Sequence, residues 1–218
     1  KLQSVALFMD KQRYNEAREI LLSLEEFPYL AEDVSFMLAV LAYDSNKDVP
    51  EAIERLQDIS PESPARSQAL HLRTLLLLRN GDHMRAAEAA ESLRDEFPDI
   101  KDNWMLLAEV NNLAKRYAEA EIAVREALEL WPGDTGLLYT LGTSLGFQEK
   151  FSEAVSAMEA ILENEPDNAM ALNYAGYTLA DQNRELERAL EMISRANELE
   201  PESFHVLDSL AWVHYRLG

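Results

Sequence analysis

The chain has 218 residues, 47% of them hydrophobic, so burying a continuous core is not a difficulty. Forty acidic residues against twenty basic ones give a formal charge of −20, which repels phosphate backbones and favours a basic or neutral partner; nucleic acid is not expected. There is no cysteine, which excludes disulfides, thiolate zinc sites and cysteine nucleophiles, and no apolar run approaches the roughly 18–20 residues of a membrane span.

Only seven Gly and eight Pro occur, and Ala, Leu and Glu dominate, so the elements are expected to be helices. Prolines at 64, 98, 132, 166 and 201 divide the chain at spacings of 34, 34, 34 and 35, a period in the range of helix–turn–helix repeats. The first copy, 1–32, shows Leu2, Val5, Ala6, Ala17 and Leu24, with Pro28 one place early. From Asp33 the frame gives Phe36, Val40, Ala52, Ile59 and Pro64; from Ser67 it gives Leu70, Thr74, Ala86, Leu93 and Pro98. The pattern sharpens from Lys101, with Trp104 at position 4, Leu107 at 7, Ala108 at 8, Ala120 at 20, Ala127 at 27 and Pro132 at 32. The unit from Thr135 repeats it with Leu138, Leu141, Gly142, Ala154, Ile161 and Pro166. From Ala169 it gives Leu172, Ala175 and Gly176, then Ala189, Ala196 and Pro201 after one extra residue in the Asp181–Leu186 turn. The last copy, from Phe204, has Leu207, Leu210 and Ala211 and supplies a first helix only.

Residues 4, 7, 8 and 11 of each unit share one helix face, and small residues at 8 and 20 let the two helix axes approach closely. Proline at 32 ends the second helix, and Asp134, Asn168 and Ser203 stand where the next first helix needs a cap. Gly81 marks an intra-repeat turn in Asn80-Gly81-Asp82.

These residues resemble the tetratricopeptide-repeat (TPR) family over essentially the whole chain. The resemblance implies an all-α, right-handed superhelix of six helix–turn–helix repeats (1–32, 33–66, 67–100, 101–134, 135–168 and 169–203) and the leading half of another (204–218), forming one solenoid. The stretches Asn173–Asp181 and Leu207–Gly218 resemble the last repeats of bacterial outer-membrane TPR lipoproteins, some of which activate processing proteases and deliver their substrates. The opening lacks an initiator Met and a signal-peptide pattern, and the chain reads as a fragment of a longer protein. The resemblance thus implies a periplasmic location, with membrane attachment only through an anchor outside this stretch; a cytoplasmic location is the alternative.

The same resemblance places positions 2, 5, 9, 12 and 13 of the first helices in a concave groove for a protein or peptide. Met105, Tyr139, Phe147, Asn173, Tyr177, Trp212, Tyr215 and Arg216 are the candidate partner-binding residues. Aromatic anchors beside amide and guanidinium donors are the composition of a binding hot spot. For Trp212 and Tyr215 the alternative is packing against a following helix, and an exposed end helix would also allow chains to pair. The Lys and Asn pattern by which some TPR domains clamp a terminal carboxylate is absent, which points away from a chaperone-tail receptor. His71, His83, His205 and His214 are scattered, no HExxH or glycine-rich phosphate loop occurs, and His205 with Asp208 at i, i+3 has no nucleophile beside it. The expectation is a non-catalytic scaffold or adaptor without cofactors. The TPR arm of a larger enzyme, such as a glycosyltransferase, or an envelope secretion scaffold are the alternatives.

Overall fold

A computed structural model describes residues 2–218, with the side chains of residues 2, 3 and 46 outside the description; the core role expected of Leu2 falls there. Thirteen α-helices and no strands occur among the described residues. The chain forms two compact units, Lys1–Asn103 and Trp104–Gly218.

The first unit holds α1 (Leu2–Asp10), α2 (Tyr14–Leu22), α3 (Ala31–Asn46), α4 (Val49–Gln57), α5 (Arg66–Arg79) and α6 (His83–Glu96). They pair as antiparallel hairpins α1/α2, α3/α4 and α5/α6, each stacked on the next. Val5, Ala17, Leu21, Leu24, Val34 and Leu38 form its first core cluster. Two boundaries differ from the repeat frame. A 3-10 turn at Pro28–Leu30 leads directly into α3, so that helix starts at Ala31 and not Asp33. α4 stops at Gln57, well before Pro64, because Pro61 already disfavours helical backbone at Ser60. Ile59 is nevertheless buried, outside any helix, and its carbonyl accepts from the Arg66 guanidinium at 2.6 Å.

The second unit takes up α7 (Lys101–Leu113) from Trp104 and continues with α8 (Tyr117–Leu130), α9 (Thr135–Phe147), α10 (Phe151–Asn164), α11 (Ala169–Asp181), α12 (Leu186–Leu199) and α13 (Phe204–Leu217). Here each second helix ends two residues before its proline, as expected. The small residues at position 8 do what close packing demands. A Cβ on Gly176 would lie 2.7 Å from Ile193 Cγ1 and 3.0 Å from the Ala189 carbonyl oxygen, so a larger residue would force α11 and α12 apart.

Of the three caps expected at Asp134, Asn168 and Ser203, two form. Asp48, Asp82, Asp134 and Asn168 accept from the backbone N–H three residues on, whereas Ser203 occupies the N-cap of α13 without a side-chain bond. A feature the sequence showed only at Gly81 recurs in every intra-repeat turn. Lys47, Gly81, Lys115, Glu149 and Asn183, all at position 15 of their units, and Gln12 in the first turn take positive φ between 54° and 78°. The extra residue of the sixth repeat is accommodated by a second left-handed residue, Glu185, at φ 45°.

Candidate functional site

The second unit presents two adjoining cavities on its first-helix face, of 510 and 300 Å³, which share Tyr139. α9 and α11 place Tyr139, Met170, Asn173, Tyr174 and Tyr177 on one side of the larger cavity. Glu200 and the start of α13, with His205, Val206, Asp208 and Ser209, form the other side. The smaller cavity is lined by Met105, Glu109, Asn112 and Leu113 of α7 and by Tyr139, Thr140, Thr143 and Phe147 of α9. Period-3.6 geometry brings these positions to one face, since residues 5, 9, 12 and 13 of a helix lie in adjacent turns.

The structure therefore brings together five of the eight expected site residues: Met105, Tyr139, Phe147, Asn173 and Tyr177. Trp212, Tyr215 and Arg216 line neither cavity and form a cluster of their own on α13. Trp212 stacks on Tyr215 at 5.6 Å, the Arg216 guanidinium lies 5.4 Å from the Trp212 ring centre, and Trp212 packs partly against the core. Trp212 thus packs partly against its own unit's core of preceding helices, which is not the following helix considered above, while Tyr215 is 74% exposed. Phe147 is half-exposed and stacked on Tyr117 at 5.0 Å, which fixes its ring at the rim.

Sequence reasoning missed Tyr174. Its position 6 is not a groove position, but its ring meets Tyr139 edge-on at 5.8 Å and its hydroxyl donates to the Gly142 carbonyl at 3.1 Å. Gly146 makes this possible: a Cβ there would lie 2.3 Å from the Tyr174 oxygen. The available signal was the pair Gly142 and Gly146, one turn apart, which opens a slot in α9 for a large side chain of the next repeat. Burial, with Tyr139 beside it, pushes the Tyr174 phenol up to about 12, so it stays a neutral donor.

The electrostatics of the unit are segregated. Arg125, Lys150, Arg188 and Arg195 are tied to carboxylates on the second-helix side, through Glu121, Glu153, Glu159 and Asp167. No Lys or Arg lines either cavity among the described residues, while Glu109, Glu200 and Asp208 do. The amide oxygens of Asn112 and Asn173 are buried and accept no hydrogen bond, although the Asn112 nitrogen donates to Ser144 Oγ at 3.0 Å. A buried acceptor left open costs stability unless something meets it, and both open acceptors belong to residues lining the cavities. No group of three or more His, Cys, Asp or Glu arranged to hold a metal occurs among the described residues.

Antiparallel helix pairs recurring at about 34 residues, with small residues at each crossing, define a helical-hairpin repeat protein. The tetratricopeptide-repeat family model matches residues 73–135 and 139–204, and the chain belongs to that family. A TPR repeat-containing protein of Pseudomonas aeruginosa is 33% identical over 184 residues, covering 84% of this chain; the chain spans 31% of that relative's length. Among solved structures, the C-terminal part of a TPR repeat-containing protein from Cytophaga hutchinsonii has a TM-score of 0.74 at 16% identity, covering 98% of this chain and 84% of that one. YrrB, described as a TPR protein with an unusual peptide-binding site, has a TM-score of 0.65 at 21% identity over 87% of this chain and 96% of its own. These likenesses support the helical-repeat fold. Repeats of this family serve as protein-interaction scaffolds.

Proposed function

We propose that the Trp104–Gly218 unit binds an extended polypeptide segment along the first-helix face of α7, α9, α11 and α13. On this reading the protein acts as a non-catalytic adaptor in the bacterial envelope, delivering substrates to a processing protease or activating it. The observation that carries the binding reading is the pair of adjoining cavities joined through Tyr139, with exposed aromatic walls. Tyr177, at 41% exposure, and Phe147, at 53%, supply ring surface without losing much side-chain entropy on binding. The peptide-binding site attributed to YrrB supports the same use of the fold. The likeness of Asn173–Asp181 and Leu207–Gly218 to TPR lipoproteins supports the envelope setting.

The test is affinity capture on the immobilised protein from a Gram-negative envelope extract, read by mass spectrometry. Recovery of a processing protease or its substrates, reduced at least tenfold for Tyr139→Ala with Tyr177→Ala, is the expected result. The same proteins recovered undiminished by a double variant of unchanged helicity would move the binding surface elsewhere.

A further inference from the structure

Within that groove, and resting on the reading of it as a peptide site, we infer that the larger cavity selects a segment carrying a lysine or arginine next to a large apolar or aromatic residue. Two carboxylates, Glu200 and Asp208, stand on its rim, both exposed, and neither takes part in an ion pair or a side-chain hydrogen bond among the described residues. On α12, Arg195 is committed to Asp167 and Glu198 and Arg188 to Glu159 and Glu185, while Arg216, on α13 with Asp208, lies over the Trp212 ring and does not line the cavity. The unit as a whole carries 8 Lys and Arg against 20 Asp and Glu over residues 104–218. A segment entering the cavity therefore meets two carboxylates with no Lys or Arg among the lining residues, which draws in a cation and repels an acidic chain.

The opposite wall supplies the other half of the specificity. Tyr139, Tyr174 and Tyr177 give an apolar surface whose ring faces attract both a hydrophobic side chain and the stem of a lysine or the guanidinium of an arginine. Asn173 lies among them, its amide oxygen buried without a hydrogen-bond partner. Apolar wall and carboxylate rim together fit a short stretch that combines apolar and basic character. A neutral hydrophobic segment would use only the wall, and an acidic one would be opposed by the rim.

The experiment is selection from a random dodecapeptide phage library on the intact 218-residue protein at low salt. Parallel selections use Tyr177→Ala and the charge-reversed double variant Glu200→Lys with Asp208→Lys. The expected pool is enriched in Lys and Arg adjacent to aromatic or large aliphatic residues, is lost with Tyr177→Ala, and turns acidic on the charge-reversed protein. A synthetic peptide from that pool should bind Asp208→Asn about two- to fivefold more weakly than wild type, the loss shrinking as salt is raised. A pool that needs Tyr177 but shows no basic preference would overturn the charge selection and leave the groove standing. A pool indifferent to Tyr177, or no pool at all, would remove the groove and the selection with it.

Discussion

From α8 onward every helix of the second unit runs 13 or 14 residues, while those of the first, from α2 onward, range from 9 in α2 and α4 to 16 in α3. Equivalent positions then meet different surroundings. Position 9 is half-exposed at Tyr177, where it forms a cavity wall, and at Leu75, but fully buried at Leu41. Position 8 is Ala108, Gly142 or Gly176 in the second unit, whereas the repeat from Ser67 has a buried Thr74, whose hydroxyl donates to the Leu70 carbonyl within its own helix at 2.8 Å. Position 7 is Leu107, Leu141 or Ala175 in the second unit, and Val5, Ala39 or Arg73 in the first. A repeat frame thus fixes where residues sit along a helix. What faces a groove and what faces a core depends on how closely the particular helices approach.

The sharpest way to break the comparison is to carry a residue from one unit to the other. Gly176→Thr places the side chain tolerated at position 74 against Ile193 and the Ala189 backbone, where even a Cβ is too close. Overpacking of this kind should cost about 3 kcal/mol, read as a lower urea midpoint for the second unit. An unchanged midpoint would mean that α11 and α12 can separate freely and that the small residue is not a packing requirement.

Next in size is the ion network that joins the second helices of the second unit. Burial acts to raise the Glu121 carboxyl, but bonds from Lys150, Arg125 and Gln148 outweigh it and hold it at about 2. Because the folded value lies below the unfolded one, this stabilisation is present above about pH 4.5 and is lost as pH falls towards 2. Glu121→Gln should therefore destabilise by about 1–2 kcal/mol at pH 7, and the gap from wild type should close by about pH 2 in denaturant titrations. A gap that stays constant with pH would assign the loss to packing instead.

Arg73 is the counterpart in the first unit, and the effect there should run the other way. Burial lowers its pKa, with Arg85 and Arg66 adding repulsion, and its Nε is buried without a hydrogen-bond partner. Arg73→Leu, which restores the residue found at positions 107 and 141, should raise stability by about 1 kcal/mol. Destabilisation would show that the guanidinium contributes through its stem more than it costs through its charge.

How much of this was legible depends on whether a feature belongs to one segment or to two. The prolines at 132, 166 and 201 and the small residues at 108, 142 and 176 act within one hairpin, so their spacing announced the fold. Tyr174 was not legible as a site residue because its place depends on the missing side chain of Gly146, in another helix. The early end of α4 was written in Pro61, but the stronger 34-residue beat of Pro64 hid it. Met105, Tyr139 and Tyr177, on three different helices, could be assigned to one face through the repeat frame and the family resemblance. The separation of Trp212 and Tyr215 from the cavities could not, since it follows from the packing of α13 on α11 and α12.

The smallest effect tests the position-15 turns, where the two units share a backbone although the residue varies from repeat to repeat. Gly81 adopts φ 78° at no steric cost, and a Cβ there would meet nothing within 4 Å, so Gly81→Ala reports backbone strain alone. Glu149 holds φ 60° in the second unit with an exposed side chain. Left-handed backbone costs an ordinary residue about 1 kcal/mol relative to glycine, partly offset by the greater freedom glycine has when unfolded. Gly81→Ala should therefore destabilise by about 1 kcal/mol, and Glu149→Gly should stabilise by about 0.5 kcal/mol, each measured as a shift in denaturation midpoint. If both substitutions are neutral, the turns relax out of the left-handed region at little cost. The repeated positive φ would then be a consequence of hairpin closure and not one of its causes.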